Sequence, residues 1–302
     1  MNVLIVGLGS IARRHIAALR HIDPEAGIVA LRHDTAGIPL PGVRDIYSLD
    51  EMESRPDFAI ISNPTALHAE TIRALLPLRV PLFIEKPLFA GLGHEDLLEE
   101  IRRLGILTYV ACNMRFLDTL RWLRGQVEAL RINEVNVYCG SYLPDWRPGT
   151  DWRRCYSART ELGGGVHIDL IHEFDYIHWI FGDPQQVRKT LRHRSSLGIG
   201  AVDYANYCLE YEDFCISVVL NYYRRDYKRT VEVVAEEGTW TADLASGRVT
   251  DADGRTLFES SQDDDEVYWA QMNYFLSLLR KEAPASSNDV FEAYEVLKLC
   301  LG

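Results

Sequence analysis

The apolar run Val3–Val6, followed at once by Gly7-Leu8-Gly9-Ser10-Ile11-Ala12, constrains the chain more than any other stretch. A strand that ends in G-x-G-x-x-A and passes into a helical pattern is the arrangement of a dinucleotide-binding turn. Gly7 makes the turn, Gly9 lets a pyrophosphate approach the backbone, and Ala12 replaces the third glycine in packing helix against strand. Ile11, Ala18, Leu19 and Ile22 then form one apolar helix face. The first N–H groups of that helix, at Ser10 and Ile11, are expected to meet the phosphates.

The alternation continues. Gly27–Leu31 reads as a second strand, and the residues after it, Arg32-His33-Asp34, should face the adenosine ribose. Arg32 suits adenine stacking or a 2′-phosphate, and Asp34 suits the ribose hydroxyls if the strand runs longer, so NAD and NADP both stay open with a slight lean to NADP. Ser48 and Glu51 form a capping box for a short helix. Strand Phe58–Ile61 leads into Ser62-Asn63-Pro64-Thr65 and a helix with His68, Ile72 and Leu76. Strand Leu82–Ile84 ends in Glu85-Lys86-Pro87, and strand Ile106–Ala111 leads to Asn113-Met114-Arg115-Phe116. Strands alternating with helices predict a doubly wound parallel sheet, whose ligands bind beyond the carboxyl ends of the strands. Gly7, Asn63, Lys86 and Asn113 all fall at those ends.

From Asp118 the texture changes. A helix with Leu120, Leu123 and Val127 is followed by alternating runs from Val135 to Phe258 that lack crossover helices. They predict a large, mostly antiparallel sheet open on one side, in a second α/β domain spanning 118–302 after a Rossmann domain at 1–117. Tyr and Val side chains on the open face point to a homodimer or homotetramer through that sheet. Within this half, Gly163-Gly164-Gly165 opens a segment expected to be one helix from Val166 to Phe181. Val166, Leu170, Phe174, Ile177 and Phe181 share an apolar face, while Asp169, His172, Glu173 and Tyr176 share a polar one. Helices at Val267–Leu279 and Val290–Leu301 close the chain, and Asp263-Asp264-Asp265 reads as a solvated loop rather than a metal site.

Lys plus Arg number 32 against 44 for Asp plus Glu, giving a formal charge of −12 with no basic block, which argues against nucleic acid and anionic membranes as partners. The six cysteines show no Cys-x-x-Cys and suggest neither a disulfide framework nor zinc, but buried thiols in a reducing compartment. With no leader pattern before the first strand and no apolar run of the roughly 20 residues that span a bilayer, a cytoplasmic location is expected.

Glu85-Lys86-Pro87, taken with the other motifs in this order, resembles the glucose–fructose oxidoreductase/inositol dehydrogenase/MocA (Gfo/Idh/MocA) family over almost the whole length. The resemblance rests also on Gly7-x-Gly9-x-x-Ala12 with His15, Asn63-Pro64 with His68, Asn113-x-Arg115-Phe116, and the three glycines with Asp169 and His172. It implies a Rossmann domain, a second domain whose open sheet mediates dimers or tetramers, and oxidation or reduction of a hydroxyl carbon on a sugar, cyclitol or sugar nucleotide with NAD or NADP. Trp146-Arg147-Pro148-x-x-Asp151-Trp152-Arg153 and Tyr156-Ser157-Ala158 look like a subgroup met in bacterial surface-polysaccharide gene sets. Many relatives place the histidine four residues after the helix aspartate, whereas Asp169 and His172 are three apart.

Hydride transfer from a secondary alcohol needs a group to take the hydroxyl proton and a cation to stabilise the developing alkoxide. Lys86 at a strand end, with its pKa lowered in a water-poor cleft, is the expected cation, and His172 the expected acid/base. Asp169 would orient His172 or bind a substrate hydroxyl, and Glu85 would counter Lys86 or contact the nicotinamide ribose. Asn63, Pro64, His68, Asn113 and Arg115 complete the expected cofactor side, although a satisfied core histidine is the better reading of His15 and of His68 from their buried stripes, and Arg115 and Asn113 equally fit plain packing. Trp146, Arg147 and Asp151, with Arg153, would hold a charged substrate or cap a loop. Two alternatives stay open: a relative that uses bound NAD transiently to cleave glycosides, and a non-catalytic cofactor sensor.

Overall fold

The computed structural model describes residues 1–33, 37–283 and 287–302; Asp34 lies outside them. The first strand, β1 (Asn2–Val6), runs parallel between β2 (Gly27–Leu31) and β4 (Phe58–Ile61). With β3 (Val43–Ile46), β5 (Leu82–Ile84) and β6 (Thr108–Val110) it builds a six-stranded sheet in the order β3-β2-β1-β4-β5-β6, parallel throughout. All four residues of β4 are fully buried, as expected of a strand covered on both faces. Sequence periodicity missed β3: it is a short edge strand with only Ile46 fully buried, so two polar residues, Arg44 and Asp45, are tolerated. Helices α1 (Ser10–Ile22), α2 (His68–Leu75) and α3 (Glu95–Leu104) flank the sheet, α1 burying Ala12, His15, Ile16, Ala18 and Leu19.

A second unit spans Met114–Gln262. It contains α4 (Asp118–Val127), β7 (Ile132–Tyr142), α5 (Val166–Asp169) and α6 (His172–Phe181). The strands β8 (Gln186–Arg192), β9 (Tyr204–Glu210), β10 (Cys215–Asn221) and β11 (Tyr223–Ala235) follow, then β12 (Gly238–Asp243), β13 (Arg248–Asp251) and β14 (Thr256–Glu259). They form an eight-stranded sheet, β14-β13-β12-β11-β7-β10-β9-β8, antiparallel except where β10 runs parallel to β7. Alternation sorts its faces: Val135, Val137, Tyr207, Leu209, Ile216 and Val218 are buried, and Phe174 of α6 meets Tyr207 edge-on at 4.6 Å. Tyr138, Asn206, Ser217 and Val219 alternate with them on the opposite face.

Two differences from the sequence reading concern the ends of elements. The final helices, α7 (Asp264–Leu279) and α8 (Val290–Leu301), belong with the first unit, which comprises Met1–Asn113 and Asp263–Gly302, and not with a domain running from 118 to the C-terminus. Phe275 of α7 is fully buried and packs edge-on against Phe58 and Phe83 at 5.1 and 5.2 Å, so α7 closes a face of the parallel sheet. The apolar stripe of a helix announces that it covers something, without saying which sheet. The carboxylates at 263–265 are not a loop: Asp263 caps α7 through the Glu266 N–H, in a capping box, and Asp264 and Asp265 occupy the first turn, where negative charge suits the helix dipole. All six cysteines are free thiols, three of them buried and Cys215 exposed. No helix among the described residues is long and apolar enough to cross a membrane.

Replacing Phe275 with alanine should destabilise the first unit by about 3–5 kcal/mol, the usual cost of an aromatic cavity, which urea denaturation will read. An unchanged midpoint would contradict the packing of α7 on β4 and β5. A second prediction concerns His167 in α5, which is 6% exposed and whose pKa burial lowers from 6.5 to about 4. As pH falls below about 6.5 the unfolded chain takes up a proton that the folded chain refuses. Stability from this group is therefore complete above pH 6.5 and lost on the way down to pH 4, by about 3 kcal/mol. His167→Gln should flatten that limb of the stability profile.

Candidate active site

In the first unit the carboxyl ends of β1, β4 and β5 lie side by side. Gly7 has φ +86°, and a Cβ there would stand 2.9 Å from the Asn63 backbone, so glycine is required both by conformation and by space. Ser62 donates through Oγ to the Val6 carbonyl at 3.1 Å and locks the two strand ends together. A Cβ on Gly9 would meet nothing within 4 Å, and α1 starts behind it with no side-chain cap. Its first N–H groups, at Ser10 and Ile11, are thus without the usual Ser, Thr or Asp oxygen. Asn63 donates to Thr71 at 2.7 Å, while its Oδ1 is buried with no hydrogen-bond partner among the described residues. An open approach over Gly9, uncapped helix N–H groups and an orphan acceptor at Asn63 fit a dinucleotide whose pyrophosphate rests on the turn.

Other residues of this edge hold the loops. His68 is buried, with Nδ1 3.1 Å from the Leu88 carbonyl and Nε2 3.0 Å from the Asn63 carbonyl. Burial lowers its pKa. It braces the Asn63-Pro64 turn through both ring nitrogens, as a satisfied core histidine does. Glu85 is also buried; Oε1 lies 2.5 Å from Nε2 of the buried His15, and Oε2 accepts from the Lys86 N–H at 3.1 Å. Lys86 follows, half-buried, directly beyond β5. Asn113, also half-buried, begins the helical turn Asn113–Phe116 after β6. The Arg32 guanidinium donates to Asp45 on β3 at 2.7 Å.

In the second unit the segment expected as one helix is two. The break at Leu170–Ile171 separates α5 from α6, so a continuous helix does not define the relation of Asp169 to His172. Glu173, from the supposed polar face, and Asp175, which the sequence reading does not assign to it, both sit in buried ion pairs. Glu173 lies 2.6 Å from Arg229 of β11, and Asp175 receives Nε and Nη2 of Arg115 at 2.7–3.2 Å. Arg115 thereby ties two parts of the unit together. A bidentate pair at 3% and 0% exposure fixes the turn carrying Arg115 to α6. Tyr176 is likewise fully buried. His172 opens α6, half-buried.

Asp169 accepts at 2.5 Å from the hydroxyl of the buried Tyr222, the residue that joins β10 to β11. Burial, then the neighbouring Asp169 carboxylate, pushes both the Tyr222 and the Tyr156 phenols upward. Trp146 stands edge-on to Tyr222 at 5.3 Å and donates from its indole to Ser141 at 3.0 Å. Arg147 lies 5.9 Å from the Tyr156 ring centroid. Asp151 is an N-cap, accepting from the Arg153 N–H at 3.2 Å. The glycines bring the approach to α5 tightly past residue 156: a Cβ on Gly164 would lie 2.0 Å from the Tyr156 carbonyl.

Arg225 and Tyr227 were not singled out from sequence. Tyr223 pairs with Tyr142 and Lys228 with Gly140, so residues 224–227 bulge out of the β7–β11 ladder. Bulges re-aim side chains next to functional sites. This one puts Arg225 and Tyr227 on a cleft of about 410 Å³ that also includes Ser141, Asp145, Trp146 and Leu170. Arg225 stacks on Tyr142 at 4.2 Å and donates to its hydroxyl at 3.0 Å. No group of three or more potential metal ligands occurs among the described residues.

Comparison with known proteins agrees with this division. Residues 1–110 match the model of an oxidoreductase family with an NAD-binding Rossmann fold, and residues 118–241 match the GFO/IDH/MocA C-terminal domain. The uncharacterized oxidoreductase YrbE of Bacillus subtilis is 24% identical over 97% of this chain and 91% of its own. The crystal structure of GenD2 from gentamicin A biosynthesis, in complex with NAD, superposes with a TM-score of 0.80 at 20% identity, covering 99% of this chain and 92% of that one. The WlbA dehydrogenase from Bordetella pertussis, in complex with NADH and UDP-GlcNAcA, superposes with a TM-score of 0.77 at 19% identity over 99% and 93% of the two chains. The chain belongs to the Gfo/Idh/MocA oxidoreductase family.

Proposed function

We propose that the protein moves hydride between a nicotinamide dinucleotide and the hydroxyl or keto carbon of a sugar-type substrate, most readily a sugar nucleotide of the kind used in surface-polysaccharide synthesis. The observation that carries the chemistry is Lys86, half-buried directly beyond β5, on the same sheet edge as the Gly7–Gly9 turn. When bound there, nicotinamide supplies the hydride acceptor or donor. Lys86 would hold the substrate oxygen and stabilise the negative charge that develops on it. His172 would exchange the hydroxyl proton. Asp169, fixed by Tyr222, would accept from a substrate hydroxyl and set its orientation. For an alcohol the balance is simple: the C–H electron pair leaves as hydride, the O–H proton leaves to His172, and a carbonyl remains.

The substrate class is supported by the second unit's cleft, where Trp146 and Tyr227 offer aromatic surface for a pyranose ring and Arg225 offers a planar cation for a phosphate. WlbA, crystallised with a nucleotide sugar, points the same way. We also propose a homodimer or homotetramer through the face of the eight-stranded sheet that carries Tyr138 and Val219.

The test is a panel of nucleotide sugars, free sugars and inositols followed at the nicotinamide absorbance band. Lys86→Ala should lower kcat by about 10²–10³ while NADH still binds; turnover unchanged by that substitution would remove Lys86 from the chemistry. Arg225→Gln should raise KM for a nucleotide sugar about tenfold with kcat little altered, a loss of about 1.4 kcal/mol of binding. An unchanged KM for the nucleotide sugar would instead separate Arg225 from substrate.

A further inference from the structure

Beyond β2 the chain departs from what its sequence suggests. Arg32 occupies the position that faces the adenosine ribose of a bound dinucleotide, where an acidic residue receives the 2′-hydroxyl or an arginine receives a 2′-phosphate. Its side chain is only 9% exposed, and its guanidinium is bonded at 2.7 Å to Asp45, whose side chain is 15% exposed. Gly37 covers it from the other side: a Cβ at that position would lie 1.8 Å from Arg32 Nη2. The Arg32 N–H also continues the ladder to the Ile46 carbonyl at 2.9 Å, which holds the residue against β3. Meanwhile Asp45 Oδ1 is buried with no hydrogen-bond partner among the described residues.

From this arrangement we infer that Asp45 is the residue that selects NAD over NADP, by neutralising Arg32 and leaving one carboxylate oxygen to accept from the adenosine ribose. A 2′-hydroxyl is a neutral donor and can satisfy Oδ1 without disturbing the pair. A 2′-phosphate would bring a second anion beside Asp45, and would gain Arg32 only by breaking a charge-assisted hydrogen bond and lifting the side chain from beneath residue 37. The aspartate lies on β3, in register with Ala30 of the neighbouring β2, so a search along β2 and its loop does not find it. The inference rests on the dinucleotide reading of the first unit and adds the phosphorylation state of the ligand.

Fluorescence titration of the intact protein with NADH and NADPH tests it. The wild type should bind NADH at least tenfold more tightly than NADPH. Asp45→Asn, which keeps an acceptor but removes the charge, should cut that ratio at least tenfold, through tighter NADPH binding. Adding Arg32→Gln to Asp45→Asn should abolish the gain, because the released guanidinium is its source. Arg32→Gln alone should leave NADPH affinity unchanged, whereas an arginine already serving a phosphate would lose about tenfold, and this variant keeps the test decisive if Asp45→Asn folds poorly. A wild type that prefers NADPH, or an Asp45→Asn protein with an unaltered ratio, would overturn the inference with the oxidoreductase reading intact. Failure of both nucleotides to bind would overturn that reading and the inference with it.

Discussion

Two carboxylates on α6 that cannot reach water organise the second unit. Glu173 and Asp175 are both fully buried, and each is neutralised by an arginine from another part of the unit, Arg229 on β11 and Arg115 on the turn before α4. Breaking one partner of such a pair typically costs about 3–5 kcal/mol, because a charge is left without solvent or counter-charge. The pairs therefore fix where α6 begins and how it lies on the sheet. The helix breaks at Leu170–Ile171 just before them, and Asp169 at the end of α5 accepts from the Tyr222 hydroxyl. A phenol held in its protonated form by burial is a dependable donor, so the Asp169 carboxylate has a fixed direction before any substrate arrives.

The first unit uses a different device. Its functional edge is a set of strand ends drawn together by backbone proximity and by side chains that reach across loops. Gly7 presses on Asn63, Ser62 reaches back to Val6, His68 spans Asn63 and Leu88, and His15 reaches Glu85. Two histidines that belong to the family resemblance thus hold the loops from beneath. Lys86 and the N–H groups behind Gly9 stand at this edge with the buried, unpartnered Asn63 oxygen, which is the division expected when a rigid first layer must be preorganised for a ligand.

The parallel sheet was legible because its signals are local: a glycine turn at a fixed distance from a buried strand, then strands alternating with helices. The mostly antiparallel nature of the second sheet was legible from missing crossovers. What escaped was everything decided by partners distant in sequence. Arg115 and Asp175 are far apart along the chain, and nothing in either local pattern announces a bidentate pair. Glu173 and Tyr176 looked like a polar helix face because periodicity sorts residues by direction and cannot tell solvent from a buried arginine. Arg225 and Tyr227 reach the cleft only because β11 bulges against β7, and strand alternation assumes that no such irregularity exists. The return of α7 to the first sheet has the same origin: its stripe was visible and its destination was not.

The central claim, hydride exchange between a sugar carbon and nicotinamide, is tested most directly by following an isotope. A nucleotide sugar that the protein turns over is prepared with deuterium on its ring carbons and incubated with NAD, and the nicotinamide product is weighed by mass spectrometry. The account predicts a reduced cofactor heavier by one deuterium, formed one-for-one with the oxidised sugar. Reduced cofactor without deuterium, or substrate consumed while the label passes to water, would contradict it.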